Sequence, residues 1–259
     1  MKFAIIASKK DEAGMNISSA LNELNIKYTI IEENTIYAEN IDKKPEFKDA
    51  DFIIFITKHQ SEKPSKTLTV HAPGNWKKAD FGGKEGKICP TSSFVLKHFL
   101  KILNEENKNS NSEYQVSLEC THHGPFIEKP CLFIEIGSGK QEWNDKKAGK
   151  IIARTIQRAI KENINTNFEP VIGIGGPHYC PNFNKIQLNS KYAVGHIIPE
   201  YVFPLTKEII QEAIEKTQEK IDSVIIDWKG TGKSEQRQEL INLLESLNLK
   251  VLRSDQVEK

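Results

Sequence analysis

Short apolar runs, bounded by polar turns and separated by stretches with helical spacing, constrain this chain more than any other feature. The strand-like runs are residues 3–7, 28–31, 52–57, 114–118, 132–136, 171–174, 193–198 and 224–227. Several lack strict in–out alternation, as expected of strands covered on both faces. Between them Ala148, Ile151, Ile152, Thr155, Ile156 and Ala159 recur at three and four residues, one buried helical stripe. Ile210, Ala213, Ile214 and Thr217 repeat the pattern, as do Leu240, Leu243, Leu244 and Leu247, and Phe94, Leu96, Phe99, Leu100 and Leu103 after Pro90. Strands alternating with helices predict an α/β fold, a layered three-layer domain around a mixed, mostly parallel sheet. No internal repeat or long flexible linker breaks the alternation. Residues 1–259 are therefore expected to form one domain, a smaller lobe near the C-terminus being the other arrangement the pattern allows.

Charge narrows the partners. The 36 basic and 35 acidic residues leave a net charge of +1, which argues against a protein that coats nucleic acid nonspecifically but leaves room for a local basic face. Lys147, Lys150, Arg154, Arg158 and Lys161 form such a face opposite an apolar stripe, either simply solvated or set against RNA phosphates. Cys89, Cys120, Cys131 and Cys180 make no CxxC pair and read as reduced thiols of a cytoplasmic protein. No apolar run approaches the ~20 residues that span a bilayer. The opening MKFAIIASKK has too short an apolar core for a signal peptide and reads as a first strand. Neither a membrane nor DNA is an expected partner.

Two segments stand outside the scaffold. Residues 58–86 are rich in Lys, Pro, Gly and His with little helical pattern, while Leu68, Val70 and Trp76 favour an ordered, functional loop. Residues 104–113 (NEENKNSNSE) read as a disorder-prone exposed turn after a helix.

Histidine placement is more informative than histidine number. His59, His71, His122, His123, His178 and His196 lie at or just beyond strand-like runs or in Gly- and Pro-rich turns; only His98 falls in a helical stretch. In open α/β sheets ligands bind beyond the carboxyl ends of strands, so these six are expected to converge on one crevice. Imidazole is both the commonest metal ligand and a base near neutral pH. Zinc needs three or four N, O or S ligands, and His59, His71, Glu119, His122, His123, His178, His196 and Glu200 are candidates. No short spacing such as HExxH occurs, so strand-end and loop-capping roles remain the alternative for each histidine. Gly175 and Gly176, ahead of His178, allow positive φ and close approach to a ligand.

Gly230-Thr231-Gly232-Lys233-Ser234 imitates a P-loop, but the phosphate cradle requires a glycine where this chain has Asp227. An ATPase is excluded. A simple strand–helix connection and a turn that uses Lys229 and Lys233 to hold one RNA phosphate both remain open.

The runs Lys58-His59-Gln60-Ser61, Thr67-Leu68-Thr69-Val70-His71-Ala72-Pro73-Gly74-Asn75, Thr121-His122-His123-Gly124-Pro125 and Gly173-Ile174-Gly175-Gly176-Pro177-His178-Tyr179 resemble, in order, the signatures of the archaeal and plant type of D-aminoacyl-tRNA deacylases. The Gly195-His196 segment and the Asp227-Trp228-Lys229-Gly230 turn also fit, and the resemblance covers essentially the whole chain. It implies a phosphorylase/peptidyl-tRNA-hydrolase-like fold and hydrolysis of the ester joining a D-amino acid to the 3′ end of tRNA. It also implies a zinc cofactor, two ions per subunit.

On this reading His71, His123 and His178 are the expected catalytic residues. Asn75, Gly175, Gly176, Lys229 and Lys233 bind substrate, and His59, His71, His122, His178, Glu119 and His196 hold metal. The backbone N–H groups of Gly175 and Gly176 would stabilise the oxyanion, and the protein is expected to act as a monomer. A zinc hydrolase of a peptide or nucleoside, and a non-catalytic tRNA-binding module with structural histidines, are the rival readings.

Overall fold

The computed structural model describes residues 1–61 and 65–257. The N-terminal part runs β1 (Phe3–Ser8), α1 (Glu12–Glu23), β2 (Thr29–Ile31), β3 (Phe52–Lys58), β4 (Thr67–His71), α2 (Ser93–Asn109), β5 (Gln115–Leu118), β6 (Cys131–Gly137), α3 (Lys140–Trp143) and α4 (Lys146–Ala159). Its strands form a six-stranded sheet in the order β2-β1-β3-β6-β4-β5. All neighbours are parallel except β4 against β6, so the sheet is mixed. The rest runs β7 (Glu169–Ile174), α5 (Pro181–Asn189), β8 (Tyr192–Ile198), α6 (Lys207–Glu215), β9 (Ser223–Ile226), α7 (Ser234–Ser246) and β10 (Lys250–Arg253), with a parallel second sheet ordered β10-β9-β7-β8.

The architecture is three-layered. Leu132, Ile134 and Ile136 of β6 face one way, with Val95, Phe99 and Leu103 of α2, Ile17 and Leu21 of α1 and Ile152 and Ile156 of α4. The same apolar cluster continues into Val171, Val194, Ile197 and Ile225 of the second sheet. The opposite face of that sheet packs Ile172, Ile174 and Ile226 on Ile210 of α6 and on Leu240 and Leu244 of α7. Cys131 and Phe133, alternating with the first set along β6, look instead toward Ala38, Ile41, Phe47 and Ile127, which belong to short turns and loops. The first sheet therefore has one face covered by long helices and one by loops, and the loop-covered face carries the chemistry.

Local sequence explains the boundaries. Asp11 caps α1 by accepting from Gly14 N at 2.7 Å, and Ser92 and Asp145 cap α2 and α4. The structure departs from the sequence expectation in four places. There are two sheets rather than one, because hydrophobic pattern does not encode which strands pair. Strand β4 lies inside the expected loop at 58–86, all five of its residues buried; residues 62–64 of that segment lie outside the described residues. Helix α2 continues to Asn109 through the stretch expected to be a disorder-prone turn, because Arg158 pairs with Glu105 and Glu106 at 2.9 and 2.8 Å and Asn107 Nδ2 donates to Tyr114 O at 2.8 Å. The basic face of α4 is largely spent internally: Arg158 also binds Glu162, Lys150 pairs with Glu23 at 3.0 Å and Lys147 donates to Asn111 O at 2.8 Å. Among the described residues no helix is long and apolar enough to cross a membrane.

Lys97, buried on α2, ties this helix to the second sheet. Its Nζ donates to the carbonyls of Gln187, Ser190 and Tyr192, at the end of α5 and the start of β8. Lys97→Met leaves those carbonyls without their donor and is expected to cost roughly 1–3 kcal/mol, read by urea denaturation. Burial, helped by Lys101, pushes the Lys97 pKa down to about 8. Above that pH the unfolded chain binds the extra proton, so the cost of burying the charge is full below about pH 8 and fades as pH rises. The margin of wild type over Lys97→Met is expected to widen with pH across that window.

Candidate active site: a buried cluster of imidazoles and carboxylates

Five of the six expected histidines converge. Ring centroids lie 4.3 Å apart for His71 and His122, 4.8 Å for His71 and His123, and 4.5 Å for His122 and His178, while His59 stands 5.7 Å from His178. The sheet explains how. Register places Glu135 of β6 opposite Thr57 on β3 and Thr69 on β4, and His71 opposite Phe133. Glu135 thus shares the loop-covered face with Phe133, and His71 stacks on the Phe133 ring at 5.4 Å. Because β5 runs parallel to β4, Glu119 emerges beside the end of β4, its N–H donating to Val70 O at 3.2 Å. The expectation of one crevice beyond parallel strand ends is therefore corrected. His59 follows β3, whereas His71 and Glu119 arrive on strands running the opposite way, and the cluster lies across a sheet face.

Two buried carboxylates form the centre. His178 Nε2 lies 2.9 Å from Glu119 Oε2, with His122 Nε2 3.4 Å from the same oxygen. His59 Nδ1 lies 3.1 Å from Glu119 Oε1 and 3.6 Å from Glu135 Oε2. His71 Nε2 is 3.7 Å from Glu135 Oε2 and His123 Nε2 3.9 Å from Glu135 Oε1, while Thr57 Oγ1 donates to Glu135. The other ring nitrogens are fixed by carbonyls. His71 Nδ1 donates to Ala72 O at 3.2 Å, His122 Nδ1 to Cys120 O at 2.8 Å and His123 Nδ1 to Gly124 O at 2.6 Å. A carbonyl only accepts, so the proton sits on Nδ1 and a neutral ring presents its Nε2 lone pair to the carboxylates. Lone pairs facing anions repel unless a cation lies between them.

The electrostatics agree. Burial opposes a charge on His59, but Glu119 and Glu135 outweigh it and raise its pKa to about 11. Burial also opposes His178, and Cys120 and Glu119 lift it to about 10. Burial lowers His122 far below the usual range and His123 to about 4. For Glu119 and Glu135 burial acts upward, but the neighbouring histidines hold Glu119 well below the ordinary carboxylate value and Glu135 near about 2. The site therefore keeps its carboxylates ionised and two of its imidazoles neutral. Ligand atoms within 4.8 Å of one another group as His71, His122 and His123; as His59, Glu119 and His178; as Cys120, His122 and His178; and as His71, Glu119 and Glu135.

Above the cluster opens a pocket of ≈ 470 Å³, lined by His59, His122, His123, His178 and Glu135 together with Asp11, Thr35, Ile36, Lys58 and Phe81. The other expected residues stand elsewhere. His196 is buried with both nitrogens engaged, Nδ1 to Thr121 Oγ1 at 3.0 Å and Nε2 to Lys216 O at 3.3 Å, and it joins none of the ligand groups. Burial holds its pKa down at about 4, so it serves the sheet as a neutral ring. Glu200 is exposed and also outside the groups. Asn75 pins the neighbouring loop, Nδ2 donating to Gly82 O at 2.8 Å. The expected oxyanion donors are already spent: Gly175 N donates to Ile198 O at 2.7 Å and Gly176 N to Gly230 O at 3.3 Å. Their φ values of 91° and 81° serve packing, since a methyl on Gly175 would stand 2.7 Å from Thr231 Cγ2 and one on Gly176 2.8 Å from Asp227 Oδ2. Lys229 and Lys233 are exposed beyond that turn.

Sequence reasoning passed over Glu135, Cys120, Tyr179 and Asp11. Glu135 had a visible signal, a lone carboxylate inside the apolar run 132–136. Tyr179 OH sits 2.8 Å from His59 Nε2, and Cys120 Sγ lies 3.5 Å from His178 Nδ1 and 3.2 Å from Tyr201 OH. Asp11 accepts from Lys58 N at 3.1 Å on the pocket wall.

A layered α/β scaffold that buries imidazoles and carboxylates beneath an open pocket has the donor set of a metal-assisted hydrolase. The family described as D-aminoacyl-tRNA deacylase matches residues 46–252. A D-aminoacyl-tRNA deacylase of Thermococcus onnurineus is 40% identical over 85% of this chain and 81% of its own length. One of Pyrococcus abyssi is 36% identical over 96% and 98%. The crystal structure of AF0625, a conserved protein of unknown function, matches with a TM-score of 0.90 at 30% identity, covering 99% of this chain and 96% of its own. The chain belongs to the D-aminoacyl-tRNA deacylase family.

The Gly175–Gly176 turn is what carries His178 to the cluster. Gly175→Ala, strained in φ and short of space, is expected to lose roughly 1–3 kcal/mol in chemical denaturation and to shift the His178 ring resonances in an NMR spectrum.

Proposed function

We propose that this protein hydrolyses the ester between a D-amino acid and the 3′ end of tRNA, releasing both. The observation that carries the reading is the convergence of five imidazoles and two carboxylates, of which His59, His122, His123, His178 and Glu135 line one pocket, in a chain of this family. Hydrolysis of an activated ester needs a placed water and an electrophile more than a strong nucleophile.

Zinc fits the site. His71 Nε2 is buried without a hydrogen-bond partner among the described residues, as suits an atom that faces a cation. His71, His122 and His123 would hold an ion, with Glu119 and Glu135 at its side, which leaves His178 free of metal for proton transfer. When bound, Zn²⁺ supplies a Lewis acid and a water acidic enough to ionise near neutral pH.

The residues do the rest. Carbonyl bonds to Nδ1 lock His71, His122 and His123 in the ligating tautomer. His178, whose side chain is 33% exposed, lines the pocket with His59, His122 and His123 and hands a proton to the leaving ribose oxygen. Selection for the D isomer comes from a pocket wall that the side chain of the L isomer strikes. The exposed Lys229 and Lys233 offer the RNA backbone positive charge. Four free, buried thiols suit a reducing cytoplasm, and the core shared by the two sheets supports the whole chain acting as one unit.

The test incubates the protein with D-tyrosyl-tRNA and L-tyrosyl-tRNA, before and after chelation. Only the D ester should be cleaved, with activity lost on chelation and restored by zinc. His178→Ala should lower kcat about 10²- to 10⁴-fold. Binding of tRNA with neither ester cleaved would leave a binding module instead.

A further inference from the structure

Three of the exposed large apolar side chains gather around this pocket. Phe81 lines it and is 65% exposed, Tyr201, 61% exposed, touches Cys120, and Tyr37, 51% exposed, adjoins Gly82, where a methyl would stand 3.1 Å from its ring. Neither the cluster nor its chemistry uses Phe81. An exposed phenylalanine loses the burial that ordinarily justifies one, and a supple loop would fold it away.

This loop is not supple. Gly124 N donates to Phe81 O at 2.9 Å, Asn75 Nδ2 to Gly82 O at 2.8 Å, and Gly83 N to Glu39 Oε1 at 2.7 Å. Gly82, with φ of 72°, leaves no room for a methyl against Ile36 O. Three successive residues are therefore pinned through their own backbone groups, and Phe81 is held at the pocket mouth next to the His122-His123-Gly124 turn. A rigid, exposed aromatic ring is a stacking surface whose ordering entropy is already met.

The geometry of the substrate says what stacks there. In an aminoacyl-tRNA the ester and the terminal nucleobase hang from one ribose, so an ester seated over the cluster brings the base to the mouth. Lys58 lines the same pocket above the Trp143 ring at 4.8 Å, with no carboxylate at ion-pair distance among the described residues, and suits the adjoining phosphate. Resting on the deacylase reading, we propose that Phe81 is the stacking platform for the terminal nucleobase of tRNA, with Tyr37 extending it.

Steady-state kinetics on D-tyrosyl-tRNA test this. Phe81 is exposed, so its replacement leaves the fold intact, which circular dichroism checks. Phe81→Ala should raise KM about 5- to 150-fold, the range for loss of one base–aromatic stack, with kcat changed less than twofold. Phe81→Tyr should restore KM and Phe81→Leu should not. Uncharged tRNA should inhibit wild type better than tRNA trimmed of its terminal nucleoside, and the two should inhibit Phe81→Ala equally. An unchanged KM in Phe81→Ala, or leucine serving as well as tyrosine, overturns the proposal. A wild-type protein inert toward D-tyrosyl-tRNA overturns the deacylase reading, and this proposal with it.

Discussion

Burial of Glu119 and Glu135 among five imidazoles is the constraint on which the rest of the molecule depends. An ionised carboxylate taken out of water costs several kcal/mol unless it is compensated. Two of them side by side also repel. The chain answers by bringing five imidazoles within reach of one or both, and the contacts of His59 and His178 above all hold the carboxylates ionised despite burial. The compensation is incomplete, since three of the rings turn lone pairs rather than protons toward the carboxylates. Cations would complete it, which makes the same arrangement costly as a structural core and useful as a reactive centre.

The reversal of β4 is the device that builds it. In an all-parallel sheet every loop following a strand would fall at one edge, and His71 and His59 would sit beside each other there. Running β4 and β5 against β3 and β6 brings His71 and Glu119 in from the other end, on the face where the long helices give way to loops. Pocket, cluster and rim are thus held by sheet registry, with the loop carrying Phe81 clamped onto the same frame.

Much of this was legible in the sequence. Strands β1, β3, β6, β7, β8 and β9 announce themselves as apolar runs, and α4 and α2 as periodic stripes. The cluster's histidines stood out by position. What was not legible depended on pairing. Strand β4, with two threonines and a histidine among five residues, looks like loop until β5 and β6 are placed on either side of it. Glu135 hid inside a core strand. His196 and His178 look alike in sequence, each near a strand end beside glycine, but Thr121 and Lys216 occupy one while Glu119 and Cys120 face the other. The glycines before His178 are positive-φ positions, as their sequence suggests, and they permit close approach of the Trp228 turn.

The central claim is that these donors surround cations. Anomalous diffraction from crystals grown with zinc, collected on either side of the zinc edge, addresses it directly. The account predicts peaks between the Nε2 atoms of His71, His122 and His123 and beside Glu119. A zinc-equilibrated crystal with no peak in the cluster, or peaks only at surface histidines and thiols, would contradict it.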